Sequence, residues 1–94
     1  MIKHIVMWKF KPEVKEEMNR FLGALEALRG QIEVLRSMEI GVNSGSDENF
    51  DAVLVTTFDS FEDLEKYKTD PRHIAASSLC KEIRVSRCAV DFEF

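Results

Sequence analysis

The sequence predicts an α+β fold: one antiparallel sheet of four strands with helices packed on one face. Three observations predict it. Segments near both ends of the chain alternate apolar and polar residues, the middle holds a β-branched apolar run, and two stretches carry apolar residues at helical spacing. With 94 residues the chain has room for a single domain, residues 1–94, around one core.

Residues 2–10 place Ile2, His4, Val6, Trp8 and Phe10 on one strand face and Lys3, Ile5, Met7 and Lys9 on the other. From Glu13 to Arg29, Val14, Met18, Phe21, Leu22, Leu25 and Leu28 step by threes and fours. That spacing predicts a helix stopped by Gly30. A second strand is expected over Val34–Val42, followed by the turn-rich loop "NSGSDEN". "DAVLVTTF" (51–58) is apolar on both faces and reads as a central strand.

In "DSFEDLEKY" either Asp59 or Ser60 can cap a helix with the stripe Phe61, Leu64 and Tyr67, ending near Thr69. Asp70 and Pro71 then open another helix, over 71–83. The carboxylate caps free amides, and proline at the first helical position forfeits no hydrogen bond. The tail "RVSRCAVDFEF" alternates, with Cys88, Val90, Phe92 and Phe94 on one side and Val85, Arg87, Ala89, Asp91 and Glu93 on the other. The order βαββα(α)β is the split βαβ arrangement of a ferredoxin-like sheet with helices on one face.

Helices cover only one face, yet Ile5, Met7, Val53 and Val55 point to the other. Desolvating them at roughly 1.5 to 3 kcal/mol each drives two sheets together, so a homodimer through the sheet faces is expected.

The 45% hydrophobic and 32% charged composition is that of a soluble globular domain, and no run approaches the roughly 18 apolar residues of a membrane span. "MIKHIVMWKF" is too short, and too broken by Lys3, His4 and Lys9, to be a secretory signal, so a cytoplasmic location is expected. A net charge of −4 and a pI near 5.2 argue against a nucleic-acid partner. Cys80 and Cys88 lack ligand or redox spacing and are expected to be buried thiols. Two histidines without short spacing point to no metal site, and no cofactor motif is present.

Chemistry gathers around "YKTDPRH" (67–73). His73 would be the third residue of its helix, and the positive helix end favours a neutral imidazole suited to act as a general base. Tyr67 closes the preceding helix, where its phenol could orient a substrate oxygen. His4 shares a strand face with Val6 and Trp8, so with Leu54 it can converge on the same pocket. Bland readings stand beside these: His4 as a core residue with one hydrogen bond, His73 as a solvated residue bonded to the Asp70 backbone, Tyr67 and Trp8 as core aromatics.

"IKHIVMWKFK", "GVN", "LVTTFDSFEDLEKYKTDPRH" and "VDFEF" together resemble the stress-responsive A/B barrel (Dabb) family of the dimeric α+β barrel superfamily. The resemblance spans almost the whole chain. It implies a ferredoxin-like protomer, a homodimer whose two sheets form a barrel, and a cavity between sheet and helices. A plant member of the family closes a linear polyketide by an aldol reaction without cofactor or metal. Its histidine and tyrosine correspond to His73 and Tyr67, and its first-strand histidine to His4.

The expected function is binding of a small hydrophobic carbonyl or phenolic compound, with cofactor-free acid/base chemistry by His73 and Tyr67 among His4, Trp8, Val6 and Leu54. Plant stress proteins of the family are instead associated with stability and assembly, which makes a non-enzymatic role the alternative. A haem- or quinol-handling role, as elsewhere in the superfamily, is favoured by Trp8 alone.

Overall fold

A computed structural model describes residues 1–94. The elements are β1 (Ile2–Phe10), α1 (Lys15–Glu26), β2 (Ser37–Val42), β3 (Ala52–Phe58), α2 (Phe61–Thr69), α3 (Pro71–Ser78) and β4 (Arg84–Glu93). They form one sheet in the order β2-β3-β1-β4, with every neighbouring pair antiparallel. This is the ferredoxin-like arrangement that the element order predicts. No helix is long and apolar enough to cross a membrane.

β1 and β3 are central because they carry apolar residues on both faces. In register, Val6 faces Leu54 and Trp8 faces Ala52, and all of these are buried toward the helices. Phe21, Leu22 and Leu25 of α1 pack onto this face. Phe21 meets Trp8 edge-on, with ring centroids 5.0 Å apart at 89°, a geometry that adds about 0.5–1.5 kcal/mol to simple burial. At the end of β1 the ladder to β4 shifts between Lys9 and Phe10. There the Phe10 N–H donates to Asp51 Oδ2 at 2.7 Å, so the Asp51 side chain holds this end of β1 to the start of β3.

Several element ends differ from the sequence expectation. α1 stops at Glu26, although Leu28 and Ile32 remain buried, because turns carry the chain onward and Gly30 takes a left-handed φ of 77°. β2 begins at Ser37, with Val34 and Leu35 packed against the core from a turn. Ser60, not Asp59, caps α2, accepting from the Asp63 N–H at 3.1 Å, while Asp59 pairs with Arg36. α3 ends at Ser78 rather than near 83. The Ser77 and Ser78 hydroxyls bond back to Ile74 and Ala75 carbonyls, and the following residues tighten into short turns.

Two side chains are misplaced by pattern alone. Phe61, read as part of the buried stripe of α2, is exposed, whereas Leu64 and Tyr67 are buried. Cys88, expected to be buried like Cys80, is exposed, because it sits opposite Met7 on the sheet face that no helix covers. That outer face also carries Ile5 between Val55 and Val90, and Lys3 beside Phe92.

Candidate functional site

His4 lies on the helix-facing side of β1. The β1–β4 register sets it opposite Asp91, and its Nδ1 is 2.5 Å from Asp91 Oδ1. An ionised carboxylate only accepts, so Nδ1 carries the proton and Nε2 keeps a free lone pair. Burial lowers the His4 pKa below the ordinary imidazole value. The Asp91 hydrogen bond and charge oppose that shift, and the positive charges of Lys68 and Arg87 add to it.

The break between α2 and α3 builds the second imidazole. Asp70 accepts from the Arg72 N–H at 2.8 Å and is clamped by the Arg72 guanidinium, which holds its carboxyl down at about 2. The break also leaves carbonyls at the end of α2 without helical partners. His73, third in α3, donates from Nδ1 to one of these, the Lys68 carbonyl at 3.2 Å, and not to the Asp70 backbone. Its Nε2 is likewise left as an acceptor. Its pKa is lowered, first by burial and then by His4 and Arg87, against the upward pull of the Lys68 carbonyl. The neutral imidazole expected from the helix end is therefore reached chiefly through desolvation.

Tyr67 is wholly buried. Its ring lies 4.3 Å from that of His73 and 5.1 Å from that of Phe58, and its hydroxyl has no hydrogen-bond partner. Burial pushes the phenol up to about 12, so it stays protonated at neutral pH. The Trp8 indole N–H is also buried without a partner.

A cavity of about 300 Å³ lies between the sheet and the helices. Val6, Trp8 and Leu54 from the sheet, with Phe21 and Leu25 from α1, give it an apolar floor. His4 and His73 line the same cavity. Five of the six site residues picked out from the sequence thus share it, and Tyr67 stands behind the wall, against His73. Two wider grooves of about 680 and 510 Å³ border the 43–51 loop, and no histidine lines either. No cluster of three or more potential metal-ligating side chains occurs.

Sequence reasoning missed Asp91, and with it the charged residues Lys68, Lys81, Arg84 and Arg87 around the cavity. The alternation of the tail did put Arg87, Ala89 and Asp91 on one face. In a split βαβ sheet the last strand pairs with the first, and that register would have set Asp91 opposite His4.

The model of the stress responsive A/B barrel domain matches residues 2–94. The chain belongs to this family. An uncharacterized protein from Streptomyces coelicolor is 34% identical over 98 residues, covering 100% of each chain. A dimeric protein of unknown function with a ferredoxin-like fold from Bacteroides fragilis is 40% identical, with a TM-score of 0.89 over 99% of this chain and 95% of its own. A dimeric ferredoxin-like protein of unknown function from Thermobifida fusca is 25% identical, with a TM-score of 0.90 over 99% and 90% of the two chains. Both of these similar structures are dimeric, ferredoxin-like and of unknown function.

Proposed function

We propose that the protein works as a homodimer whose protomers each bind a small hydrophobic carbonyl or phenolic compound in the sheet-helix cavity and carry out cofactor-free, cyclase-like acid/base chemistry. One observation carries this reading. Two imidazoles line one apolar-floored cavity, each with Nδ1 committed to a fixed acceptor and Nε2 free. The dimeric relatives support the homodimer.

In the reaction, His73 Nε2 removes a proton from carbon next to a carbonyl, and the electron pair moves onto the carbonyl oxygen as an enolate. The enolate carbon attacks a second carbonyl of the same molecule, forming the ring C–C bond, and the imidazolium returns its proton to the resulting alkoxide. His4, held by Asp91, faces the same chamber as a second neutral acceptor. Tyr67 is the hydrogen-bond donor to the developing oxyanion. Its hydroxyl stays protonated at neutral pH and has no competing partner, and bound substrate must displace the wall around His73 to reach it.

Exchange of the methyl protons of acetophenone in D2O, followed by proton NMR, tests the proton-abstraction step without requiring the natural substrate. The protein should accelerate exchange, and His73→Ala should remove the acceleration while leaving the oligomeric state unchanged. Undiminished exchange in that variant removes His73 from the mechanism. Binding without any exchange favours the non-enzymatic role, in which His73→Ala alters thermal stability only.

A further inference from the structure

The whole chain has 13 Lys and Arg against 17 Asp and Glu, yet the cavity inverts that balance. Its thirteen lining residues include Lys68, Lys81, Arg84 and Arg87 and not one carboxylate. The four cations come from three places: the end of α2, the turn after α3, and β4. Lys68 is 3.9 Å from Asp91 Oδ2, whereas Lys81, Arg84 and Arg87 have no carboxylate partner. The charge is also graded with depth. Val6, Phe21, Leu25 and Leu54 at the floor are 2% exposed or less, while Lys81 and Arg87 are exposed.

We infer that the ligand of this cavity is a small amphiphilic oxyanion, with an apolar body on the floor and a carboxylate or phosphate held by Lys81, Arg84 and Arg87. The inference rests on the small-molecule reading above and names the class of compound. A neutral ligand would desolvate these cations over an apolar floor without compensation, whereas an oxyanion neutralises them and matches the planar guanidinium fork. For a substrate that also carries a ketone, the cations would hold the anionic end while the carbonyl end meets the imidazoles.

The same charges give the site a built-in coupling. Burial is the main cause of the lowered pKa of both histidines; at His4 Asp91 opposes it while Lys68 and Arg87 add to it, and at His73 His4 and Arg87 add to it while the Lys68 carbonyl and Asp70 oppose it. An oxyanion seated among the cations offsets the positive potential at His73 and makes its Nε2 a stronger base. Substrate binding thereby activates the base.

Calorimetric titration of the full chain with octanoate, octyl phosphate and octan-1-ol tests the inference, with the ring signals of His4 and His73 followed by NMR to locate each probe. At least one anion should bind about tenfold more tightly than the alcohol, the expected scale for partly exposed charge pairs, and added salt should erode the difference. The two anions compared show which oxyanion fits. The His73 pKa should rise when the anion is bound. The double variant Arg84→Gln/Arg87→Gln should bring anion affinity down to that of the alcohol, with alcohol affinity preserved as proof that the cavity is intact.

If the alcohol binds at the histidines as tightly as both anions, the oxyanion inference fails and the small-molecule reading stands. If anion affinity survives the double variant, Arg84 and Arg87 are not the receptor and the inference fails. If no probe perturbs either histidine, both readings fall.

Discussion

His4 Nδ1 stands 2.5 Å from Asp91 Oδ1, although the two residues are 87 positions apart in the chain. The antiparallel register of β1 with β4 puts them face to face, and the carboxylate fixes both the tautomer and the orientation of the ring.

Asp91→Asn removes the charge and keeps the shape. Burial is then opposed only by a neutral partner, so the His4 pKa should fall further below the ordinary imidazole value. The amide can also donate to Nδ1 and move the proton to Nε2, which nitrogen-15 shifts of the ring would report. Turnover that uses His4 should drop at least about tenfold, as expected when a base is held in the wrong tautomer. An unchanged His4 titration would show that Asp91 does not set its state.

Stability should depend on pH through the two histidines. Their folded pKa values lie below the ordinary value of about 6.5, which the unfolded chain retains. Above that value both states are neutral and the imidazoles contribute nothing to the pH dependence. Below it the unfolded chain takes up protons that the folded imidazoles refuse, so stability falls as pH drops through 6.5 toward the folded values. The slope is at most about 1.4 kcal/mol per pH unit for each histidine. Urea unfolding at pH 7.5, 6.5 and 5.5 should show the decline, and His4→Gln/His73→Gln should flatten it. The lowered carboxyls of Asp59 and Asp70 titrate well below this window.

What was legible in the sequence was what local chemistry dictates. Alternation placed His4, Val6 and Trp8 on the buried face, and the Asp70-Pro71 pair fixed the helix break that presents His73. What was not legible depended on register and on competition. Asp91 and Arg87 became site residues only once β4 lay beside β1. Apolar spacing at Leu28 overran α1 because a buried turn can keep the same period, and the serine hydroxyls at 77 and 78 compete with the backbone of α3. The Tyr67 ring could be placed beside His73 from the turn, but its depth behind the cavity wall is a property of the whole core.

Tyr67→Phe should separate stability from activity. The hydroxyl is buried without a partner, so deleting it relieves a desolvation cost and should stabilise the free protein by about 1 kcal/mol. If the phenol donates to the oxyanion, the same variant should lose most acetophenone exchange while the ring still packs on His73. A variant that is more stable and fully active would assign Tyr67 to packing alone.

The outer face of the sheet should be the dimer interface. Ile5 sits between Val55 and Val90 in the ladder, with Met7 beside Val53 and Cys88, and no element of the same chain covers them. A facing sheet from a second copy would desolvate these side chains at roughly 1.5–3 kcal/mol each when burial is complete. Ile5→Glu places an unpaired charge at the centre of that contact, a change that should cost more than the loss of the isoleucine alone. Sedimentation velocity should find the natural sequence dimeric at micromolar concentration and Ile5→Glu monomeric. The Cys88 thiol, on the same face, should react slowly with a thiol reagent in the dimer and faster in the variant. Because the cavity opens on the opposite side of the sheet, Ile5→Glu should still bind the octanoate probe if its protomer stays folded. A monomeric natural protein, or equal Cys88 reactivity in both, would rule out this face as the interface.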